Sequence, residues 1–464
     1  MDLSKRVYTI GERLLVRMSH DYQVIILTFV VFLSRVPFLG YGFGNNPDGW
    51  RIANTARSIA LSGNYSYSRP PGHPFQELFY SLMWGASPTM FNVITAMFSV
   101  GVFIFFYLSL AKLNCKKSLL GALALVFIPV VYINSTNSMD FIWALFFILG
   151  SFYFALDYKL ALAGIFLGLA IGCRITSAAM TIPIGLIVYY QNTSRVKSIL
   201  TFLAWTIILG LTMYIPVIYS YKFNFLTFAE HGYPSYLSVI NKLSLGVWGI
   251  PGSLAIIISV VFFGARYREI NNLLRARDPI ILASISAIVI YLLIYLRLPH
   301  QSGYLIPLLP FAILLMSKLF DTQWFIGICV TLILSAFLLA INNRQIKLAG
   351  PIFQDRQSRK ELLLLTNRVL DKASRLSKNS IIVSGSYLPM LEWQLNKVPV
   401  AGVNFVYLLT SNDLENALNN PGTHIYFLPG IDVFNKNIYD INLSDYGGKP
   451  LLLDDHWSLT FVLP

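Results

Sequence analysis

Charge is scarce in this sequence. Only 12% of its 464 residues are Asp, Glu, Lys or Arg, against ~25% in soluble globular chains. Because 55% are hydrophobic and the mean hydropathy is +0.60, the deficit excludes an ordinary water-soluble domain. Acid is the scarcer sign, and 22 Asp and Glu against 35 Lys and Arg leave a formal charge of +13. That excess does not point to nucleic acid, because most basic residues stand in short loops between apolar runs, as in membrane proteins. Cysteine is rarer still. Cys115, Cys173 and Cys329 have no paired or metal-like spacing, so they supply no disulfide framework. Internal repeats and low-complexity segments that would suggest an inverted-repeat transporter are also lacking. No small-residue cleavage site follows the first apolar run, which reads as a retained anchor.

What fills the chain is a series of apolar runs of roughly 15–22 residues, the length that crosses a ~30 Å hydrocarbon core. About eleven spans are expected, over 22–39, 89–110, 119–133, 141–156, 160–173, 175–190, 199–220, 250–263, 279–296, 304–319 and 325–339. A cytoplasmic N-terminus places Lys5, Arg6, Arg13, Arg17, Lys112, Lys116, Lys117, Arg195, Lys197, Arg266, Arg268, Arg275 and Arg277 inside, as the positive-inside rule asks. Odd parity then sends the C-terminal region to the outer face. The expected fold is an α-helical polytopic membrane protein with a transmembrane domain over 1–341. Its first outer loop covers 41–88, and a small extracytoplasmic α/β domain covers 342–464. A second outer stretch over 221–242 contains Glu230, His231 and Pro234. In the tail, 359–376 and 411–418 have helical patterns, while 381–384, 424–428 and 459–463 are strand-like. The tail has no glycine-rich phosphate loop and reads as a docking or lid domain.

The first outer loop carries the most specific signals. Asn46 suits an N-cap and Pro47 the first helical position. Ile52, Ala53, Ala56, Ile59 and Ala60 form a stripe at helical spacing, and Ser62-Gly63 is a stop. Asp48 therefore sits in the first turn of an interfacial helix, close to Arg51. Two readings stay open for it: a carboxylate complementing the helix dipole, worth ~0.3–1 kcal/mol, or a catalytic base kept ionised by that dipole. The loop continues through Ser68-Arg69-Pro70-Pro71-Gly72-His73-Pro74, a stiff turn, to Glu77. His73 and Glu77 are four apart and share a helical face. A hydrogen-bonded structural role and a substrate-binding one are both open, and as a metal pair they are weak.

Charged residues at span ends form a second group. Asp140 opens the fourth span, Arg174 lies between the fifth and sixth, Arg297 ends the ninth, and Arg35 stands near the outer end of the first. All fall on the same expected side. A single arginine there snorkels to the interface. Several converging on one face suit an anionic lipid headgroup, because the planar guanidinium donates two parallel hydrogen bonds to phosphate.

These residues resemble the GT-C superfamily of glycosyltransferases, in particular the protein O-mannosyltransferase and lipid A aminoarabinose transferase branches. The likeness lies in Asp48 with the helix after it, Ser62-Gly63-Asn64-Tyr65, and the turn from Arg69 to Pro74. It continues in Asn137-Ser138-Met139-Asp140, in Gly164 through Gly172-Cys173-Arg174, and in Arg297-Leu298-Pro299-His300-Gln301-Ser302-Gly303-Tyr304 with the Pro-rich run that follows. Two departures stand out. Many members carry Asp-Glu in the first loop, whereas Gly49 follows Asp48, and a lysine common after the fifth span is Arg174 here. The first leaves no adjacent-carboxylate metal site, and the sequence leaves a divalent-metal requirement open.

The resemblance implies transfer of a hexose or pentose from a polyprenyl-phosphate carrier to a protein, lipid or glycan acceptor on the outer face, with inversion. Asp48 would take the acceptor proton. Arg174, Arg297 and Arg69 would hold the donor phosphate, and Asp140, His300, Gln301, Tyr304, His73 and Glu77 would complete the substrate contacts. Two other classes stay in view: a transporter or flippase for a lipid-linked anion, and a non-catalytic scaffold whose tail binds a partner.

Overall fold

Proline and a capping side chain set where many of the helices begin. Ser87 accepts a hydrogen bond from Met90 N ahead of the helix Pro88–Lys112, and Asp278 accepts from Ile280 N ahead of Pro279–Arg297. Asn46 does the same for Asp48 N at the start of Pro47–Ser62. In each case proline at N1 has no N–H to leave unpaired, while the cap satisfies a donor behind it. The computed structural model describes residues 22–191, 193–226, 232–265, 278–342, 345–376, 380–409, 415, 419, 423–428, 449–451 and 459–462. The basic residues of 1–21 and 266–277, Glu230, His231 and most of the helix expected over 411–418 lie outside these.

The chain divides into two compact units. The first comprises 1–43 and 55–357 and is helical apart from the short hairpin Ala340–Asn342 with Gln345–Lys347. Among the described residues, five stretches are long and apolar enough to cross a bilayer: Pro88–Lys112, Arg195–Tyr221, Leu245–Phe262, Pro279–Arg297 and Ser302–Leu319. Shorter apolar helices occupy the other expected runs, at Tyr22–Phe38, Ser118–Phe127, Phe141–Leu156, Leu160–Cys173, Ile175–Gln191 and Thr322–Ser335. The protein is a polytopic membrane protein.

One run that reads as a single span is broken, and two other breaks fall at or beside expected span ends. The run 119–133 splits at Ile128, because Pro129 has no N–H and ends Ser118–Phe127 before Pro129–Asn134 begins. The backbone of Arg174 is extended (φ −151°, ψ 119°), so Leu160–Cys173 gives way to a 3₁₀ turn, Ile175–Met180. Leu245–Ala265 is kinked at Gly249, with φ +67°. Breaks of this kind leave backbone groups to be satisfied by neighbours.

Arg35 shows how. It is fully buried, with its guanidinium 4.8 Å from the Phe127 ring centroid and 4.4 Å from that of Tyr132. It donates to Val126 O, the carbonyl freed at the Ile128 break, to Ser135 Oγ at 3.2 Å, and to Val31 O at 2.9 Å. The expectation that Arg35 snorkels or faces a headgroup is thus corrected: the broken helix beside it recruits it inward.

Leu160–Cys173 and Arg195–Tyr221 pack closely because glycine lines the seam. A Cβ on Gly164, Gly168 or Gly172 would stand 2.5 Å from Phe202 O, 2.7 Å from Leu209 Cβ or 2.8 Å from Met213 Cγ. Small residues every fourth position let two backbones approach where no hydrophobic force separates helix from lipid.

The second unit comprises 44–54 and 358–464. Its sheet runs in the order Val403–Val406, Ser380–Val383, His424–Phe427, Leu459–Val462, Lys449–Leu451. The first three strands are mutually parallel, and Leu459–Val462 is antiparallel to both of its neighbours. Ser380–Val383 is buried along its whole length, as a strand covered on both faces must be. Val369, Ala373, Ile382, Leu391, Tyr426 and Leu428 form the core.

Replacing Arg35 by Met keeps the apolar stem but leaves Val126 O and Ser135 without their donor. We expect a loss of about 2–4 kcal/mol in unfolding free energy, read by titrating mixed micelles with SDS. Binding of a polyprenyl phosphate by the folded protein should not change, and weakened binding at unchanged stability would restore the headgroup role.

Candidate functional site

Antiparallel neighbours deliver the central pair. Phe141–Leu156 begins just after Asp140, Leu160–Cys173 ends just before Arg174, and a short turn joins them, so both residues stand at one end of the bundle. At the other end Asp157 pairs with Lys112 and Lys159. The opposite wall of the site is the loop from Tyr65 to His73, which leads into Pro74–Ser81. Glu77 on that helix holds the loop. Its carboxylate, fully buried, accepts from Tyr65 Oη, from Ser68 N at 2.8 Å and Oγ at 2.6 Å, and from His73 N at 3.1 Å. Burial, and then Glu77 itself, raise the Tyr65 pKa, so the phenol stays protonated and donates. Of its two open roles, Glu77 is seen in the structural one.

Asp140 is the centre of the cluster and is itself 0% exposed. Arg69 Nη2 donates to its Oδ1 at 2.6 Å, and Arg174 Nη1 donates to its Oδ2. His73 Nδ1 lies 3.3 Å from the same Oδ2. The Arg174 guanidinium lies against two aromatic rings, 4.1 Å from the Phe141 centroid and 5.2 Å from that of Tyr304. His73 Nδ1 also lies 2.7 Å from Cys173 O, a pure acceptor, so Nδ1 carries the proton. Burial lowers the His73 pKa against the pull of Asp140, leaving the ring neutral at pH 7. For Asp140, burial alone would raise the pKa, yet Arg174, His73 and Arg69 outweigh it and hold the carboxyl below the usual range. With His73 neutral, the two guanidinium groups carry that effect.

A second set of buried groups fixes the loop before Asp140. Ser138 N donates to Phe43 O at 3.0 Å, Ser138 Oγ to Asn92 Oδ1 at 2.8 Å, and Gln76 Nε2 to Ser138 O at 3.1 Å. Asn92 Nδ2 in turn donates to Leu39 O at 2.9 Å and Gly42 O at 2.7 Å. Sequence reasoning did not single out Asn92 or Gln76, and it named Tyr65 and Ser68 only as members of motifs. The available signal was Asn92 itself, a strong polar group inside an apolar run.

The sequence-expected residues therefore separate. Asp140, Arg69, Arg174 and His73 come together, Tyr304 joins them through Arg174, and Glu77 braces them. His300 and Gln301 lie half-buried in the turn before Ser302–Leu308. Arg297 is exposed at the end of its helix and has no hydrogen bond or ion pair among the described residues. Asp48 belongs to the second unit, 7% exposed at the second position of Pro47–Ser62. Its Oδ1 accepts from Arg51 Nη1 at 3.1 Å. Within the same unit the Arg51 guanidinium lies 5.7 Å from the Tyr407 centroid, and Asn54 Nδ2 donates to Pro389 O at 2.8 Å. The helix around Asp48 starts and stops as the sequence indicates: Asn46 caps it, Gly63 ends it with φ +70°, and Ile52, Ala53, Ala56 and Ile59 are buried while Ala60 is exposed. Among the described residues no group of three His, Cys, Asp or Glu side chains is placed to hold a metal.

Neither a family model nor a curated protein matches this sequence. The fold, however, is similar to that of ArnT from Cupriavidus metallidurans. The structure of ArnT bound to undecaprenyl phosphate superposes with a TM-score of 0.54 and 11% identity, covering 96% of this chain and 98% of that one. Apo ArnT gives the same score and coverage at 10% identity. The chain thus shares the overall fold of ArnT along nearly its whole length, in keeping with the polytopic helical fold that the sequence resemblance implies.

Asp140→Asn should cost about 3 kcal/mol of stability, since it leaves two buried guanidinium groups uncompensated; SDS titration measures it. His73 gives a pH signature. Its lowered folded pKa means that its contribution is complete above the ordinary value near 6.5 and is lost as pH falls toward the folded value. Wild-type melting temperature should therefore fall more steeply from about pH 6.5 downward than that of His73→Gln. Parallel slopes would contradict the buried neutral ring.

Proposed function

We propose that the protein transfers a sugar from a polyprenyl-phosphate carrier to an acceptor hydroxyl on the outer face of the membrane, inverting the anomeric centre. The observation that carries this reading is the pair of guanidinium groups, Arg69 and Arg174, fixed on either side of Asp140 at one end of a membrane-spanning bundle. A likeness in fold to a protein solved with undecaprenyl phosphate supports the carrier class. The topology that goes with it has about eleven crossings, a cytoplasmic N-terminus and an extracytoplasmic C-terminal unit.

The chemistry is a single displacement. The acceptor oxygen forms its bond to the anomeric carbon as the bond from that carbon to the phosphate oxygen breaks. The electron pair leaves on the phosphate, and the acceptor proton passes to Asp48. Arg69 and Arg174 stabilise the growing negative charge, and because Asp140 already orients them, little reorganisation accompanies the reaction. Tyr304 holds the Arg174 plane. Arg297, His300 and Gln301 are assigned to outer contacts of the donor. Asp48 already accepts from Arg51, and no step is routed through a metal ion.

The test is sugar transfer in membranes supplied with radiolabelled polyprenyl-phosphate hexoses and pentoses. Asp48→Asn should lower kcat by about 10²–10⁴-fold, and Arg174→Gln by about 10²–10³-fold. Undiminished transfer by Asp48→Asn would remove it as the base. If wild type consumes no donor, and membrane vesicles instead carry the lipid-linked anion across, the transporter reading replaces this one.

A further inference from the structure

His73 holds an acceptor in the Asp140 cluster for which the described residues supply no donor. Its Nδ1–H is committed to Cys173 O, with Asp140 Oδ2 on the same side of the ring. Its Nε2 is buried and has no hydrogen-bond partner among the described residues, in a side chain only 4% exposed. Buried polar atoms are ordinarily paired. The charged groups facing His73 are Asp140, Arg69, Glu77 and Arg174. Both carboxylates already accept from protein donors, Glu77 from the loop and Asp140 from the two arginines. The guanidinium groups can only donate.

That division matches a sugar phosphate. Phosphate oxygens only accept and suit the arginines, whereas a sugar hydroxyl has a proton to give and needs an acceptor. His73 follows Arg69 by four residues in the same turn, and both reach Asp140. On this reading, the group bonded next to a phosphate at Arg69 stands beside the imidazole. We infer that His73 is a specificity residue of the donor site, its Nε2 accepting a hydrogen bond from the sugar hydroxyl beside the anomeric phosphate. The inference rests on the transferase reading and adds to it how the site tells a loaded carrier from a bare one. Burial supports it by keeping the ring neutral at pH 7, the form with a lone pair on Nε2.

The full chain in lipid nanodiscs is titrated with undecaprenyl phosphate, with its hexose and pentose conjugates, and with a 2-deoxyhexose conjugate. Two variants separate the ring nitrogens. His73→Asn keeps a donor near Nδ1 for Cys173 O but has nothing at Nε2, while His73→Gln places an amide oxygen near Nε2. Wild type should prefer a sugar-bearing carrier to bare undecaprenyl phosphate. His73→Asn should lose about 10-fold or more of that preference, with bare-carrier affinity within about twofold of wild type, and His73→Gln should recover most of it. Independently of folding in the variants, wild type should bind the 2-deoxyhexose conjugate about 10-fold more weakly than the hexose one. An unchanged preference in a folded His73→Asn, or no penalty for the 2-deoxy sugar, overturns the role of His73 and leaves the transferase intact. Failure of wild type to bind any carrier phosphate overturns both.

Discussion

A carboxylate without solvent access, gripped by two guanidinium groups, is the contact on which the arrangement at this end of the bundle depends. Burying Asp140 alone would cost several kcal/mol, and the surrounding structure is what offsets that cost. Arg174 reaches it only because the helix ends at Cys173 and the backbone turns extended. Arg69 reaches it only because the loop from Tyr65 to His73 is folded back, and that loop is held by Glu77. The two carboxylates thus divide the work: Asp140 gathers the cations, and Glu77 gathers the backbone that carries one of them. Remove either and the other loses its purpose.

The same chemistry serves another end at Arg35. Like Arg174 it lies against two aromatic rings, but its donors go to a carbonyl, a hydroxyl and its own helix backbone, not to a carboxylate. Where a proline breaks a helix inside a membrane, an unpaired carbonyl is left, and a cation that would otherwise have to reach water answers it. An arginine with saturated neutral acceptors is structural. One that faces a carboxylate with a second arginine opposite is poised to share its charge with an incoming anion. The distinction comes from partners, because both residues occupy similar places at span ends.

What the sequence made legible follows from periodicity and local chemistry. The apolar runs located the helices, the Asn46-Pro47 start and Ser62-Gly63 stop bounded the Asp48 helix closely, and Asp140, Arg69, Arg174 and His73 were all candidates before their convergence was known. The convergence itself was not legible. It depends on contacts such as Arg69 with Asp140 that join distant parts of the chain. The turn at Arg174 fell where two expected spans met, but the helix break at Ile128 was missed because hydropathy averages over it, although Pro129 carried a local warning. Strands Val403–Val406 and Lys449–Leu451 were missed because Asn404 and Pro450 interrupt their apolar character, whereas strands of similar length without such interruptions were anticipated. Arg297 looked equivalent to Arg174 by position along its span. The structure separates them, since one lies against two rings and pairs with Asp140 while the other is exposed.

A site assembled this way has a particular electrostatic logic. Guanidinium groups that were merely exposed would be hydrated and mobile, and a lipid phosphate would have to displace that water and order the side chains on arrival. Here the ordering is complete beforehand. Asp140 fixes one nitrogen of each arginine, and Phe141 with Tyr304 fixes the plane of Arg174, so an anion meets cations already in place. The carboxylate cannot neutralise both arginines at once, which leaves the immediate cluster in need of negative charge. That need grows in the low dielectric of the site, and it is greatest when a phosphate gains charge as a leaving group. Under the proposed transfer, a buried acid that seems to compete with the substrate's phosphate is what prepares the cations to receive it.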